Sequence, residues 1–264
     1  MNNFDFHRPA TVADAAKLIA GAPDGKLLGG GQSLLASMKL GLAAPSDLVD
    51  LSQVGELRGI RVEGGSVRIG AMTSHADVAA SAEVQRAIPA LAALAAGIGD
   101  RAVRTLGTIG GSLANNDPAA CYPAAVLGLG ATVHTEKRTI AADDFFKGLY
   151  ETALEPNEIV TAVSFPVPAK AAYVKFRQPA SRFALVGVFV SQGPSGVRVA
   201  VTGAGPSVFR VAALEQALAA GWSAAACAGV SVPAEGLNSD LHASAEYRAH
   251  LIPVLAGRAV AQAG

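Results

Sequence analysis

Cysteine is scarce: Cys121 and Cys227 are the only two in 264 residues. They give no CxxC pair, no zinc spacing and no iron–sulfur spacing, so two free thiols in a reducing compartment are expected. Charge is sparse as well. Charged residues are 16% of the chain, and 21 Lys and Arg balance 21 Asp and Glu, which excludes the basic footprint of a nucleic-acid or anionic-membrane binder. Any anion must be held locally. The five histidines, His7, His75, His134, His242 and His250, form no HExxH or other close pair, and no metal site is expected. No stretch reaches the roughly 18 consecutive apolar residues of a membrane span. The first twenty residues carry Asp5, His7, Arg8 and Asp14 where a secretory signal would be apolar, so a cytoplasmic location is the expectation.

What the chain has is apolar content, at 51%, and 29 glycines. That suffices for a full core in one large or two smaller domains. Phe4 to Phe6 reads as a short strand, followed by a helix in "RPATVADAAKLIAG" with Thr11 as N-cap, Asp14 in its first turn and Gly21 as terminator. Then "GKLLGGGQSLL" reads as strand, glycine turn and helix or turn. This β-α-β order predicts a small parallel sheet. From "GIRVEGGSVRIGAM" onward the alternation around Gly64-Gly65 predicts a hairpin and a second sheet, antiparallel at least in part. "TSHADVAASAEV" is expected to be a short helix capped by Ser74, and "AIPALAALAAGIG" an apolar helix ending at Gly97 or Gly99. "AAVLGLGATVHTE" and "NEIVTAVSFPVP" both read as strands. "FPVPAK" is the linker candidate, and beyond it three antiparallel strands, a helix in "VFRVAALEQALAAG" and a terminal helix make a final α+β unit.

Two glycine runs interrupt this pattern, "LLGGGQSLLASMKL" and "TLGTIGGSLANNDPAACYP". Each follows an apolar segment and carries hydroxyl residues: Ser33 in the first, Thr108 and Ser112 in the second. Glycine lets backbone approach a ligand, and successive N–H groups in such turns make an anion nest that needs no lysine or arginine. A neutral chain can hold a phosphate this way. Neither run contains GxxxxGK[ST] or GxGxxG, so a P-loop and a dinucleotide-binding Rossmann turn lose ground. A pyrophosphate clasped from two sides by loops of two subdomains remains, and FAD is the common ligand of that kind.

"GGGQSLLASMKLGLAAPSDLVDLS", "TLGTIGGSLANNDPAACYPAAVLGLGA" and "KFRQPASRFALVGV" together resemble the FAD-binding medium subunits of the molybdenum hydroxylases, of carbon monoxide dehydrogenase and xanthine dehydrogenase type. The resemblance implies an α+β fold: a two-subdomain FAD-binding fold of the vanillyl-alcohol-oxidase/PCMH type, with a small parallel sheet and a larger mixed sheet. A C-terminal three-stranded antiparallel sheet with helices would follow it. The FAD-binding domain would span residues 1–168, with subdomains of about 1–57 and 58–168, and a C-terminal flavoprotein domain 169–264. The resemblance places the FAD pyrophosphate on Gly29, Gly30, Gly31, Gln32, Ser33 and Leu34, and on Thr108, Ile109, Gly110, Gly111 and Ser112. Gln32 stands where the family often has histidine and can still donate a hydrogen bond. Cys121 stands where the family often has an aspartate that contacts the flavin nucleotide; Asn115 and Asp117 are alternatives for that contact. Arg177 and Phe183 match positions beside the isoalloxazine, as a positive charge and at the ring face. Lys39 and Asp50 read as structural.

With no cluster motif and no room for a molybdopterin domain, the chain would be one subunit of three. The implied partners are a small iron-sulfur subunit carrying [2Fe-2S] clusters and a large molybdopterin subunit, in a dimer of heterotrimers. Substrate would be oxidised on the large partner, and electrons would leave through this chain to NAD, oxygen, a quinone or another acceptor. No catalytic side chain is assigned to this chain, since the redox chemistry belongs to the cofactor. Two other readings stay open: a free-standing flavin oxidase or dehydrogenase of the same fold, and an assembly module without FAD.

Overall fold

A computed structural model describes residues 2–263. Its first unit is β1 (Asp5–His7), α1 (Val12–Ala20), β2 (Lys26–Leu28), α2 (Leu34–Lys39) and β3 (Asp47–Asp50). The strands lie in the order β1-β3-β2 with both pairings parallel, so the small parallel sheet is present. Thr11 Oγ1 accepts from the Asp14 N–H at 3.1 Å, the cap that starts α1. Asp50 closes the following turn, accepting from Ser52 N–H at 2.9 Å and pairing with Arg8 at 3.2 Å. Ala15, Ile19, Val49, Leu51, Val54 and Leu57 form a core shared with Met72 and Ile159.

The chain continues through β4 (Ile60–Glu63), β5 (Ser66–Gly70), α3 (His75–Ala80), α4 (Ala82–Ala87), α5 (Pro89–Ala96), α6 (Arg101–Leu106), α7 (Ile109–Asn115) and α8 (Tyr122–Leu129). Then come β6 (Thr132–Thr135), β7 (Thr139–Ala141), α9 (Ala142–Phe145), the hairpin β8 (Phe146–Gly148) and β9 (Glu151–Thr152), and β10 (Val160–Pro166). The larger sheet has the order β4-β5-β10-β6-β7. All its pairings are antiparallel, which corrects the expected mixed sheet: parallel strands need long crossovers, and here β6 and β7 join by a short turn while β5 and β10 return in opposite senses. The strand expected over "AAVLGLG" is also corrected. It is α8, with all eight residues buried, and a run apolar on every side carries no period to separate helix from strand. Gly130, at φ +62°, ends that helix in the left-handed region.

The last unit holds β11 (Lys170–Arg177), β12 (Ala184–Gly193), β13 (Gly196–Thr202), β14 (Phe209–Arg210), α10 (Ala212–Ala220), α11 (Ala224–Ala228) and α12 (Ala245–Gln262). Its antiparallel sheet has four strands, β11-β12-β13-β14, rather than three. The expected helix over "VFRVAALEQALAAG" gives up Phe209 and Arg210 to pair with Val201 and Ala200, and a two-residue strand leaves no periodicity to read. One face of the sheet packs on α10, α11 and α12 through Val186, Val188, Val190, Leu214, Ile252 and Leu255. Phe189 and Ala200, on the other face, join the core around α8, so α8 lies between the larger sheet and the C-terminal one.

Candidate functional site

The two glycine runs meet. The first leaves β2 as Gly29-Gly30-Gly31-Gln32-Ser33 before α2 starts at Leu34; the second leaves α6 as Gly107-Thr108 before α7 starts at Ile109. A Cβ on Gly30 would overlap the Leu106 carbonyl oxygen and stand 2.7 Å from Gly107 Cα, and one on Gly29 would stand 3.0 Å from Thr108 Oγ1. Side chains at these positions would push the loops apart. Gly31, at φ +72°, turns the chain in a conformation that glycine adopts without strain.

Their backbone donors differ. Among the described residues, no protein acceptor meets the N–H groups of Gly30, Gly31, Gln32, Ser33 or Leu34. Five successive N–H groups are thus left open, the kind of donor run an anion nest uses. In the second run the first-turn donors of α7 are already used: Ile109 N–H donates to Thr73 O at 3.1 Å, Gly110 N–H to Ala71 O at 2.8 Å, and Ser112 N–H to Thr108 O at 3.0 Å. Gly111 N–H donates to Thr108 Oγ1 at 3.2 Å. The second nest is therefore not open, because the corner between β5 and α3 lies on the start of the helix. What this run offers is the exposed backbone of Gly111, the half-buried Ser112 and Asn115, and the hydroxyl hydrogen of Thr108.

Gly110 is glycine for packing. Its Cβ would stand 2.5 Å from Ala71 Cβ and 2.8 Å from Ala71 O. Gly110→Val is expected to destabilise the fold by about 1–3 kcal/mol through overpacking and to displace α7, measured as a lower urea midpoint. An unchanged midpoint would refute that packing role.

Below the second run lies His75, 5% exposed. Its N–H donates to Gly107 O at 2.9 Å, and a Cβ on Gly107 would stand 2.6 Å from His75 Nε2. The imidazole tilts against Tyr122 with centroids 5.2 Å apart, and His75 Nδ1 and Tyr122 Oη have no hydrogen-bond partner. Burial, aided by the Arg104 charge, lowers the His75 pKa to about 4 from an ordinary 6.5. The unfolded chain thus takes up this proton first, so stability is full above pH 6.5 and falls as pH drops toward 4. The expected loss is about 3 kcal/mol at the acid end of that window. Urea unfolding of the wild type and of His75→Gln should converge across it; parallel curves would contradict the assignment.

α7 ends at Asn115, and Asn116 and Asp117 follow. Asn116, at φ +42° and 1% exposed, donates its side-chain amide to Gly148 O at 2.9 Å and Glu151 O at 2.8 Å, pinning the β8–β9 hairpin. Asp117 Oδ1 accepts from Ala119 N–H at 2.8 Å. Asn115 is left half-buried and Asp117 faces Tyr150, whose pKa burial and the Asp117 charge raise. Cys121 is 5% exposed, and the cation beside it is Lys175, whose Nζ lies 3.4 Å from Cys121 Sγ and donates to Gly97 O at 2.8 Å and Arg182 O at 2.9 Å. Arg177 and Phe183 are exposed at the two ends of a loop closed by Gln178 N–H donating to Phe183 O at 2.8 Å. Arg182 Nη1 holds that loop to Gly99 O at 3.3 Å. The sequence reading missed Lys175 and His75. Lys175 stands in the quoted "KFR", where its alternation with Arg177 on β11 was the available signal.

Among the described residues no cluster of metal-ligating side chains exists and no helix is long and apolar enough to cross a membrane. A family model described as the FAD binding domain in molybdopterin dehydrogenase matches residues 2–168. The chain is 40% identical over 220 residues to the carbon monoxide dehydrogenase medium chain of Hydrogenophaga pseudoflava, covering 78% of this chain and 77% of that one. It is 36% identical to the nicotine 6-hydroxylase medium subunit of Paenarthrobacter nicotinovorans, covering 98% and 96%. Among solved structures it matches carbon monoxide dehydrogenase from Hydrogenophaga pseudoflava lacking the Mo-pyranopterin moiety, with a TM-score of 0.88, 36% identity and coverage of 99% and 97%. Quinoline 2-oxidoreductase from Pseudomonas putida 86 matches with a TM-score of 0.88 at 30% identity, covering 99% and 96%.

Proposed function

This chain belongs to the family of FAD-binding domains of molybdopterin dehydrogenases, and from that membership we propose that it is the electron-transfer subunit of a heterotrimeric molybdenum hydroxylase. It is a FAD-dependent oxidoreductase subunit. FAD, when bound, would supply the redox chemistry linking [2Fe-2S] clusters of a small partner to NAD, oxygen, a quinone or another acceptor. Substrate is oxidised on a large molybdopterin partner. The full assembly is a dimer of heterotrimers, in the cytoplasm, and the chain divides into an FAD-binding domain, 1–168, and a C-terminal domain, 169–264.

The observation that carries this reading is the apposition of the two glycine runs, with the open donors of Gly30 to Leu34 on one side. Gly30, Gly31, Gln32, Ser33 and Leu34 would take the pyrophosphate on their N–H groups, and Gly29, with Gly30 and Gly31, would keep side chains out of its way. Thr108, Ile109, Gly110, Gly111 and Ser112 form the opposite wall, where the Thr108 and Ser112 hydroxyls donate and Ile109 and Gly110 hold the wall to Ala71 and Thr73. Asn115 and Asp117 would supply the contact with the flavin nucleotide. Cys121 lies behind them, with Lys175 supplying the positive charge there. Arg177 and Phe183 would lie beside the flavin ring, where a cation would favour the anionic reduced form.

The test is reduction by substrate. Co-expressed with its small and large partners, the flavin of this chain should bleach when the hydroxylase substrate is added, and should stay oxidised when this chain is alone. Turnover of a simple alcohol by the isolated chain would favour the free-standing oxidase, and protein that stays colourless in excess FAD would favour the assembly module.

A further inference from the structure

At the start of α8 a thiol and an amine meet, with a buried phenol nearby. Cys121, immediately before α8, is 5% exposed. Lys175 Nζ stands 3.4 Å from its sulfur and is aimed there by the carbonyls of Gly97 and Arg182. Tyr173, two residues before Lys175 and so on the same face of β11, has a buried hydroxyl with no hydrogen-bond partner, and burial, with the neighbouring Cys121 thiol, raises its pKa. Among the described residues no carboxylate pairs with the Lys175 ammonium, so the sulfur is its third partner. Burial of Cys121 shields its sulfur from bulk solvent. These conditions favour attack of the amine on an oxidised sulfur: it is held close, and bulk nucleophiles are kept away.

We propose that Cys121 and Lys175 form a reversible covalent crosslink, a sulfenamide, when the protein meets hydrogen peroxide. In the first step the thiol sulfur attacks peroxide, the O–O bond breaks, an S–O bond forms and water leaves; the sulfur becomes a sulfenic acid. In the second step Lys175, having released one proton to solvent, attacks that sulfur. The S–N bond forms, the S–O bond breaks, and the hydroxyl leaves as water with a second proton from nitrogen. Sulfur loses two electrons and peroxide gains them. The long unbranched stem of Lys175 lets the nitrogen close on the sulfur.

The crosslink has two consequences for this chain. It removes a positive charge from the site, and it weakens the contacts of Nζ with Gly97 O and Arg182 O that hold the loop between Arg177 and Phe183. The chemistry stands without the flavin reading. Its value as a feedback device rests on that reading, since reoxidation of a reduced flavin by oxygen releases peroxide.

The experiment treats the folded full-length chain with one equivalent of hydrogen peroxide, blocks remaining thiols with N-ethylmaleimide, digests it and analyses the peptides by mass spectrometry. The expected product joins the Cys121 and Lys175 peptides, two hydrogens lighter than their sum, and dithiothreitol separates them. Lys175→Arg, which keeps the charge, and Cys121→Ser should both lack it. Cys227, buried in the C-terminal core, is the internal control and should remain a free thiol. Recovery of Cys121 from folded protein as the maleimide adduct, as a dimedone-trapped sulfenic acid or as a sulfinic acid, without joined peptides, would overturn the proposal.

Discussion

Gly30→Val is expected to leave the purified chain without flavin. The new Cβ would overlap the Leu106 carbonyl oxygen and stand 2.7 Å from Gly107 Cα, and both obstacles are backbone that no side-chain rotation can move. An overpacked contact of this kind costs about 1–3 kcal/mol. If the two loops must be together to clasp FAD, that cost appears as about a 5- to 150-fold loss of affinity. Gly55→Ala is the matched control, since a Cβ there meets nothing within 4 Å, and it should keep its flavin. Flavin content after gel filtration, with a urea midpoint for each variant, separates lost binding from lost folding. Full flavin in Gly30→Val would refute the apposition as the basis of binding.

Glu158→Ala should cost the fold about 2–3 kcal/mol, less than a fully buried pair because its partner is half in solvent. The Glu158 side chain is 0% exposed, against 42% for Arg138. Its carboxylate accepts from Arg138 Nε at 3.0 Å, Arg138 Nη2 at 2.9 Å, Thr135 Oγ1 at 2.7 Å and Glu155 N–H at 2.7 Å. These bonds tie β6, the turn before β7 and the approach to β10. The Arg138 hydrogen bond, with the others, lowers the Glu158 pKa to about 2 from an ordinary 4.5. Because the folded value is depressed, this stability is full above pH 4.5 and is lost as pH falls toward 2. The gap between wild type and Glu158→Ala in urea unfolding should therefore hold at neutral pH and narrow below 4.5. A gap independent of acid would contradict a charged Glu158.

Local signals carried well from sequence to structure. The Thr11 and Ser74 caps start α1 and α3 as their spacing predicts, the apolar helix α5 ends at Gly97, and the hairpin around Gly64-Gly65 pairs Val62 with Val67. Features set by distant partners were not legible. The uniform burial of α8 hid its period, and β14 is too short to show one. In the site, both glycine runs are legible as backbone that must come close to something. For Gly30 and Gly110 that something includes the protein itself: the opposite loop for one and Ala71 for the other. Which N–H groups stay open depends on the carbonyls of Ala71 and Thr73, in a segment that sequence spacing does not connect to the T-I-G-G run. The Lys175 contact with Cys121 likewise joins residues 54 apart.

The most direct measurement is FAD stoichiometry. The chain is expressed alone, mixed with FAD, freed of excess by gel filtration, and its visible spectrum is recorded with quantitation of the released nucleotide. One FAD per chain in the wild type, and none in Gly30→Val that still folds, is the result expected if the two glycine runs clasp the cofactor. A folded wild type that retains no FAD, or a Gly30→Val that retains it fully, would contradict that claim.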